Sequence, residues 1–245
     1  DEIHSDVQEV LWDSSFEIRL RSYIGFVAPG QVFDIAQYDT QHTKSRAGFF
    51  DADYSFNDRW TLTVGGRYTK DKKKSAARGN VDTSVPPPGG FPPGINGDPR
   101  DSWHQFTPKV GLKYTISDSA MAYATYSKGY RSGGFLSRVS SYAEAISPYD
   151  QETVANYEVG VKSEFLNRTL RVNFDVFLMD YKNKQEEIHL PDTLSGTGQK
   201  TVVANASTAT MKGAELEVQA YPMDGLNLRG NMAYLHTKYD SFKFD

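Results

Sequence analysis

The stretch that decides the fold runs from Thr169 to Asp180 and reads Thr-Leu-Arg-Val-Asn-Phe-Asp-Val-Phe-Leu-Met-Asp. All of its even-numbered residues from 170 to 178 are apolar, whereas the odd-numbered positions begin with Arg171, Asn173 and Asp175. Alternate residues of a strand point to opposite faces, whereas a helix would place part of this apolar set beside polar groups. The period of two therefore predicts a β-strand with one apolar face and one polar face.

Similar alternating runs recur along the chain and are joined in pairs by short polar turns. The turns are Asn57-Asp58-Arg59, Ser117-Asp118-Ser119, Asn167-Arg168 and Asp224-Gly225. The runs predict strands at residues 44–56, 60–71, 104–116, 120–130, 154–165, 169–181, 208–221 and 226–238, with a further strand near 15–26. Most of them exceed the ~5–6 residues of an ordinary strand, and ~9–11 residues are enough to cross a bilayer.

The connections between these hairpins are much longer than the turns and span residues 72–103, 131–153 and 182–207. The first begins with Lys72-Lys73-Lys74 and continues through a Pro- and Gly-rich stretch from Pro86 to Gly94, which cannot be strand. Alternation of short turns with long loops is typical of an antiparallel up-and-down β-barrel in an outer membrane. We therefore expect the three long connections to be extracellular.

Composition excludes several classes of protein. The chain has 245 residues, 38% of them hydrophobic, and a mean hydropathy of -0.56, so it contains no ~20-residue apolar span for a transmembrane helix. A barrel is compatible with these values because only every second residue of its strands meets lipid. With 27 basic and 31 acidic residues, the chain shows no electrostatic signature of nucleic-acid binding. The absence of cysteine excludes thiolate metal sites and cysteine nucleophiles.

A soluble β-sandwich would show the same alternation, with its apolar face against a second sheet. Three features favour the barrel: the uniform length of the strands, a heavily charged polar face, and aromatic residues near strand ends. The charged set is Lys109, Lys113, Glu158, Lys162, Glu164, Arg171, Asp175, Glu215, Glu217 and Arg229. The aromatic set near the turns is Tyr54, Phe56, Trp60, Phe165 and Tyr221, where a periplasmic aromatic girdle would lie.

Several motifs resemble those of TonB-dependent outer-membrane receptors of the iron-complex, or siderophore, type. One is Phe106-Thr107-Pro108-Lys109-Val110-Gly111-Leu112-Lys113-Tyr114, followed by Ala122-Tyr123-Ala124-Thr125-Tyr126-Ser127-Lys128-Gly129-Tyr130-Arg131-Ser132-Gly133-Gly134-Phe135. The others are Thr63–Thr69, Asn156–Lys162, Lys212–Glu217 and Pro222–Leu226. The resemblance covers about residues 44 to 240, with the motifs in the order that the family shows.

The resemblance implies a 22-strand barrel in the Gram-negative outer membrane, closed by an N-terminal plug. About nine strands are recognisable here, so residues 1–245 are expected to form part of the barrel wall without the plug. The family imports scarce nutrients, most often a ferric siderophore or a similar chelate, with energy delivered by the TonB protein. The implied partners are that chelate, outer-membrane lipid and lipopolysaccharide, and TonB itself through the missing N-terminal region.

The residues suggest no enzyme, no cofactor and no resident metal. The histidines lack ligand-like spacing; they are His4, His42, His104, His189 and His236. Asp51 and Asp53 share a strand face as paired carboxylates do, although solvated residues of a water-filled lumen explain them more simply. Glu186-Glu187 is better explained as a charged loop than as a cation site.

The best candidates for ligand binding are Tyr130 and Arg131, where a strand reaches its predicted outer end. Arg131 can donate paired hydrogen bonds to a carboxylate or phosphate, and Tyr130 offers an aromatic face with a hydroxyl group. An anionic metal chelate would suit these groups. The alternative is a structural role, in which glycines bend the strand exit and Tyr130 anchors it in the interface. The run Lys72-Lys73-Lys74 is equally compatible with contact to lipopolysaccharide phosphates and with a solvated loop base.

Three hypotheses of function follow. The first is part of the wall of a TonB-dependent receptor for a ferric siderophore or similar nutrient. The second is a soluble β-sandwich that binds carbohydrate or peptide through residues 72–103 and 131–153. The third is a self-contained small barrel that acts as an adhesin or structural anchor.

Overall fold

The structure is a computed structural model that describes residues 4–24, 33–83, 96–136, 142–191 and 199–242. Side chains are described for residues 40–76, 97–136, 142–191 and 201–242. In the described part of the chain, no helix is both long enough and apolar enough to span a membrane.

Long antiparallel strands make up most of the molecule. They are β1 (His4–Ile24), β2 (Phe33–Ser55), β3 (Trp60–Thr83), β5 (Arg100–Ser117), β6 (Ala120–Arg131), β9 (Glu152–Phe165), β10 (Leu170–Pro191), β11 (Gln199–Met223) and β12 (Leu226–Phe242). The short elements are β4 (Asn96–Gly97), β7 (Gly134–Phe135), β8 (Pro148–Tyr149) and the single-turn helix α1 (Tyr142–Ile146).

The long strands form one sheet in the order β1-β2-β3-β5-β6-β9-β10-β11-β12, so each pairs with its neighbours in sequence. Every pairing is antiparallel. The short strand β4 adds to β3, and β7 pairs with β8 in a separate two-stranded sheet. The predicted up-and-down topology of about nine strands is confirmed.

Short turns join the strands at one end of the sheet, the turn end, and the strand ends that lead into the long connections lie at the opposite, loop end. The Asn57 side-chain oxygen accepts hydrogen bonds from the backbone N–H groups of Arg59 (2.9 Å) and Trp60 (3.0 Å). Such Asx turns satisfy backbone donors where strand pairing stops. Gly225 adopts a φ of 81°, which glycine reaches without steric cost. All four predicted turns lie where the sequence placed them.

The sheet is a single layer with two chemically different faces. Large apolar side chains at alternate positions of neighbouring strands are exposed, as for Val64, Val110, Val159 and Val176. A second sheet would cover this apolar face in a sandwich, and the described residues include no such layer. The soluble β-sandwich, and with it the predicted carbohydrate or peptide module, is therefore wrong.

Aromatic residues bound the apolar face of β3 and β5 at both ends. The rings of Trp60 and Tyr114 lie 4.5 Å apart beside the turn end. Tyr68 and Phe106 are register partners further along the same two strands. Trp60 and Tyr68 are about 26 Å apart along β3 at ~3.3 Å per residue. An apolar band flanked by aromatic girdles, ~25 Å tall, is the lipid-facing surface of an outer-membrane barrel.

The polar face carries networks of paired charges. Lys109 Nζ lies 3.1 Å from Asp51 Oδ2, and the Thr63 hydroxyl donates to Asp53. Other contacts on this face are Tyr123 to Glu158 (2.7 Å), Arg171 to Glu164 (2.7 Å) and Asn173 to Glu217 (3.0 Å). Asp51 and Asp53 thus have separate cross-strand partners, as expected of lumen residues.

The strands run further toward the loop end than the sequence predicted. β3 continues to Thr83 and β5 begins at Arg100, so most of the charged part of the predicted loop 72–103 is strand. β10 extends to Pro191 and β11 begins at Gln199, which reduces the predicted loop 182–207 in the same way. The cause is that residues 72–75 of β3 and 182–187 of β10, where these extensions begin, are polar on both faces, so backbone pairing continues where apolar alternation has ended. The Pro- and Gly-rich residues 86–94 lie outside the described residues.

Gly160 allows a close approach between β6 and β9 on the polar face. It is the register partner of Tyr123, whose ring covers it so tightly that a Cβ would lie 2.6 Å from Tyr123 Cζ. The same tyrosine reaches Glu158 with its hydroxyl. Because Gly160 has no Cβ, the Tyr123 ring can lie flat against the sheet at this position.

We expect Gly160→Val in the intact protein to destabilise the barrel by about 1–3 kcal/mol, because overpacking displaces the Tyr123 ring. Thermal unfolding in detergent, followed by circular dichroism, measures the loss. Gly48→Val is the matched control, since a Cβ at Gly48 would meet nothing within 4 Å. Equal melting temperatures for the two variants would contradict this packing role.

Candidate functional site

Polar-face side chains meet the returning segment, described at residues 132–136 and 142–152, at the loop end of the sheet. We call this group the loop-end cluster and define it as Asp71, Lys73, Trp103, Tyr130, Arg131, Phe135, Tyr149 and Glu152. It contains both residues that the sequence analysis proposed for ligand binding. The cluster also holds some of the few buried residues of the described chain, among them Trp103 and Phe135, each 6% exposed.

Tyr130 is fixed by a long-range hydrogen bond. Its hydroxyl lies 3.0 Å from Oδ2 of Asp71, a buried carboxylate on β3. Strand β6 ends one residue later, at Arg131, where the chain leaves the sheet. The hydrogen bond therefore ties the end of β6 to a strand that is not its neighbour in the sheet.

Trp103 is the aromatic centre of the cluster. Its ring makes an edge contact with Phe135 at a centroid distance of 6.0 Å. On another side it meets Gly133 so closely that a Cβ there would lie 2.4 Å from Trp103 Nε1. Lys73 Nζ lies 5.7 Å from the centre of the tryptophan ring, within reach of a cation–π attraction. Burial lowers the pKa of Lys73, Asp71 opposes that shift, and the charge of Arg131 adds to it.

Arg131 is the most accessible cation of the cluster, with 69% of its side chain exposed. Its Nη1 lies 3.8 Å from Glu152 Oε1, which is an ion pair without a hydrogen bond. Burial raises the pKa of Tyr149, and the positive charge of Arg131 opposes that rise. Arg131 thus lies close enough to both Lys73 and Tyr149 to influence their charge states.

Gln185 anchors the segment to the wall. Its backbone N–H donates to Glu152 Oε2 (2.7 Å), and its side-chain amide donates to the carbonyl oxygens of Ser132 (3.0 Å) and Asp150 (2.9 Å). Asn205 on β11 adds hydrogen bonds in both directions with the Asp150 backbone. Gln185 lies beside a register shift between β10 and β11, next to Asn183 with its φ of 52°. The shift changes the local pairing of β10 with β11, so that Gln185 is the register partner of Asn205, and both side chains bond the segment.

Sequence reasoning missed Gln185, Asn205 and Trp103 as parts of the site. Residues 182–207 were predicted to be loop, and Trp103 was placed just outside a strand. The break in alternation at Asn183-Lys184 is the one local signal of the bulge. Glu186, from the predicted charged loop, instead accepts from Lys184 at 2.6 Å. Burial raises the pKa of Glu186, but hydrogen bonds from Lys184 and Tyr239 outweigh it and lower the pKa overall.

The cluster combines groups that suit an anionic ligand with aromatic parts. Arg131 and Lys73 supply positive charge, Tyr149 supplies a hydroxyl, and the neighbouring rings supply apolar contact. Within the described ranges, no group of three His, Asp or Glu side chains could hold a metal ion. These groups can offer hydrogen bonds, positive charge and ring contacts.

We expect Gln185→Ala to loosen the segment, because the carbonyl oxygens of Ser132 and Asp150 lose hydrogen bonds from a buried side chain, worth about 1–3 kcal/mol. Hydrogen exchange of the intact protein should become faster at residues 132–136 and 142–151 while the strand β9 stays protected. Glu187→Ala, an exposed site on the same strand, serves as the control. Unchanged exchange in Gln185→Ala would show that other contacts hold the segment.

Comparisons with known proteins agree with this architecture. The family model for the TonB-dependent receptor-like β-barrel matches residues 5–245. The ferripyoverdine receptor of Pseudomonas aeruginosa is 25% identical over 209 residues, which are 85% of this chain and 23% of that receptor. The ferric-pyoverdine BN7/BN8 receptor of Pseudomonas putida is 27% identical over 77% of this chain and 20% of its own length. The chain thus spans about a fifth of the length of these relatives.

Solved structures give the same fold. The ferric yersiniabactin uptake receptor of Yersinia pestis superposes with a TM-score of 0.66 at 19% identity, covering 98% of this chain and 38% of that one. The alcaligin outer-membrane receptor of Bordetella pertussis gives 0.56 at 20% identity, with coverages of 98% and 41%.

The predicted transmembrane β-barrel is confirmed by these matches, and the apolar band is its lipid-facing surface. Proteins of this family lie in the outer membrane of Gram-negative bacteria and are receptors rather than enzymes. The chain belongs to the TonB-dependent receptor β-barrel family.

Proposed function

We propose that this chain forms part of the wall of an outer-membrane receptor that imports a ferric siderophore or a similar scarce chelate. The observation that carries the proposal is the family match over residues 5–245, together with a cationic, aromatic cluster at the loop end. The two curated relatives described above are named as receptors for ferric pyoverdines. Because the chain spans only about a fifth of their length, the activity belongs to the intact protein.

The orientation proposed for the wall follows from its turns and connections. Short turns of such barrels face the periplasm and long connections face the outside. The loop-end cluster then lies in the extracellular vestibule, on the face that lines the bore. A chelate would meet it before it reaches the membrane-crossing part of the barrel.

Within the cluster, Arg131 and Tyr130 have different roles in the proposal. The exposed guanidinium of Arg131 offers charge-assisted hydrogen bonds to carboxylate or phenolate oxygens of the chelate. Tyr130 is bonded to Asp71, so it positions the strand end that carries Arg131 and presents its ring rather than a free hydroxyl. Trp103 and Phe135 form the apolar floor behind them.

The partners of the intact protein are also part of the proposal. The apolar face contacts outer-membrane lipid and, in the outer leaflet, lipopolysaccharide. Energy for uptake by the intact protein comes from TonB. Nothing in the cluster requires nucleic acid or covalent chemistry.

Uptake of radioactive iron tests the proposal. An iron-starved strain without its own siderophore receptors would express the intact protein and receive ferric pyoverdines and other ferric chelates one at a time. We expect at least one chelate to support uptake that disappears when TonB is removed. Uptake that persists without TonB, or no uptake and no binding of any ferric chelate, would overturn the proposal.

We expect Arg131→Gln to weaken binding of the transported chelate about tenfold, because a charge-assisted hydrogen bond is lost. Tyr130→Phe should weaken it less, since it removes only the hydrogen bond to Asp71. Arg168→Gln is the control, because Arg168 lies in a turn at the opposite end, paired with Glu164 at 3.3 Å. Equal affinities for Arg131→Gln and Arg168→Gln would remove Arg131 from the binding site.

A further inference from the structure

Basic residues cover the apolar face of three neighbouring strands immediately beyond the aromatic band. Register pairing across β2, β3 and β5 aligns Arg46 with Lys70 and His104, then Lys44 with Lys72 and Ser102, then His42 with Lys74 and Arg100. We call these three lines the basic rows. Every position in them except Ser102 is Lys, Arg or His, and every one of these side chains is exposed.

The rows continue directly from the lipid-facing surface. Tyr68 and Phe106 are the register pair just before Lys70 and His104, and the rings of Tyr68 and His104 are 6.1 Å apart. The tripeptide Lys72-Lys73-Lys74 is divided between the two faces. Lys73 packs on Trp103 in the loop-end cluster, whereas Lys72 and Lys74 belong to the rows. The three lysines therefore lie in two different environments.

The arrangement is electrostatically unfavourable by itself. Like charges that face each other across neighbouring strands are destabilising, and here Arg46 faces Lys70, Lys44 faces Lys72, and Lys74 faces Arg100. Among the residues with described side chains, no acidic group forms an ion pair with Lys70, Lys72, Lys74 or Arg100. Asp13 of β1 is the register partner of Lys44, so Lys44 is left out of the variants below.

The rest of the wall lacks this concentration of charge. Beyond the ring pair Tyr126–Tyr157, the corresponding line across the later strands contains Lys128, Ala155, Asp180, Thr210 and Lys238. Opposite charges are mixed there, as on an ordinary solvated surface. The basic rows are therefore a local feature of β2, β3 and β5.

We propose that the basic rows bind the phosphate groups of lipopolysaccharide in the outer leaflet. Neighbouring strands lie ~4.8 Å apart and successive outward residues ~6.6 Å apart along a strand, so several cations can surround one phosphate. The acyl chains of the same lipid would contact the apolar band below. The inference rests on the proposed function only in placing the loop end at the outer leaflet.

The test uses the intact protein in detergent and purified lipopolysaccharide as the probe. We expect Lys70→Gln/Lys72→Gln/Lys74→Gln to bind lipopolysaccharide about 10- to 100-fold more weakly, given about 1 kcal/mol for each cation near an anionic surface. The control is Lys182→Gln/Lys212→Gln/Lys238→Gln, which removes the same charge from exposed sites of β10, β11 and β12. Its affinity should stay within about twofold of the unmodified protein.

Further measurements identify the chemical group that the basic rows bind. Dephosphorylated lipopolysaccharide should bind the unmodified protein as weakly as intact lipopolysaccharide binds the first triple variant. Millimolar inorganic phosphate should not displace lipopolysaccharide. Equal losses of lipopolysaccharide affinity in the two triple variants would mean that positive charge anywhere on the protein attracts the lipid. Binding of dephosphorylated lipopolysaccharide with undiminished affinity would exclude phosphate recognition. Displacement by inorganic phosphate would indicate a site for dissolved anions. Each of these three results would overturn the proposal.

Two measurements separate this proposal from misfolding and from the proposed function. Circular dichroism and the gel mobility of unheated protein report whether the first triple variant is folded. Iron uptake by that variant should equal that of the unmodified protein, because none of its substitutions lies in the loop-end cluster. If no chelate is transported at all, the proposed function fails while lipopolysaccharide binding remains measurable. A folded triple variant with unchanged lipopolysaccharide affinity would contradict the phosphate site alone.

Discussion

Backbone hydrogen bonding in lipid is the constraint on which the whole structure depends. Acyl chains offer no partner to an N–H or C=O group, so every such group in the membrane must be paired within the sheet. The ladder meets this demand, for example in the continuous pairing of β2 with β3 from Ser55 to Phe33. Because the long strands between β1 and β12 are paired on both sides, their side chains have only two directions available, one toward lipid and one toward the bore. The chemical separation of the two faces follows from this geometry.

The loop-end cluster and the basic rows lie where the paired strands extend beyond the apolar band. Within the apolar band the residues that face lipid must be apolar, so polar residues can occur only on the face that lines the bore. Beyond Tyr68 and Phe106 that restriction ends, and both faces of the same strands become available for polar chemistry. One face then carries the basic rows, while the other carries Trp103 and Lys73 of the loop-end cluster. The same strands thereby carry a proposed lipid contact on one face and a proposed ligand contact on the opposite face.

Much of the fold could be predicted from the sequence, and the reason is the same constraint. The membrane-crossing strands and all four turns are visible because apolar alternation is enforced there and stops at polar turn residues. The extensions of β3 and β10 were missed, since a strand that is polar on both faces has no period for a sequence to reveal. Tyr130 and Arg131 could be suggested from their position at a strand end. The partner of Tyr130, Asp71, could not, because only tertiary structure brings together two residues separated by 59 positions in sequence. Gln185 was likewise hidden, since long-range hydrogen bonds leave no local pattern.

The division of Lys72, Lys73 and Lys74 between two faces has a consequence for how this wall can change during evolution. Inserting or deleting one residue between Trp60 and Asp71 would exchange the environments of every side chain beyond it, sending carboxylates toward acyl chains and aromatic rings toward water. Inserting or deleting two residues would keep each side chain on its face but would move the basic rows relative to the bilayer. Length variation among descendants of this chain should therefore accumulate in the connections, while the crossing segments vary by substitution alone.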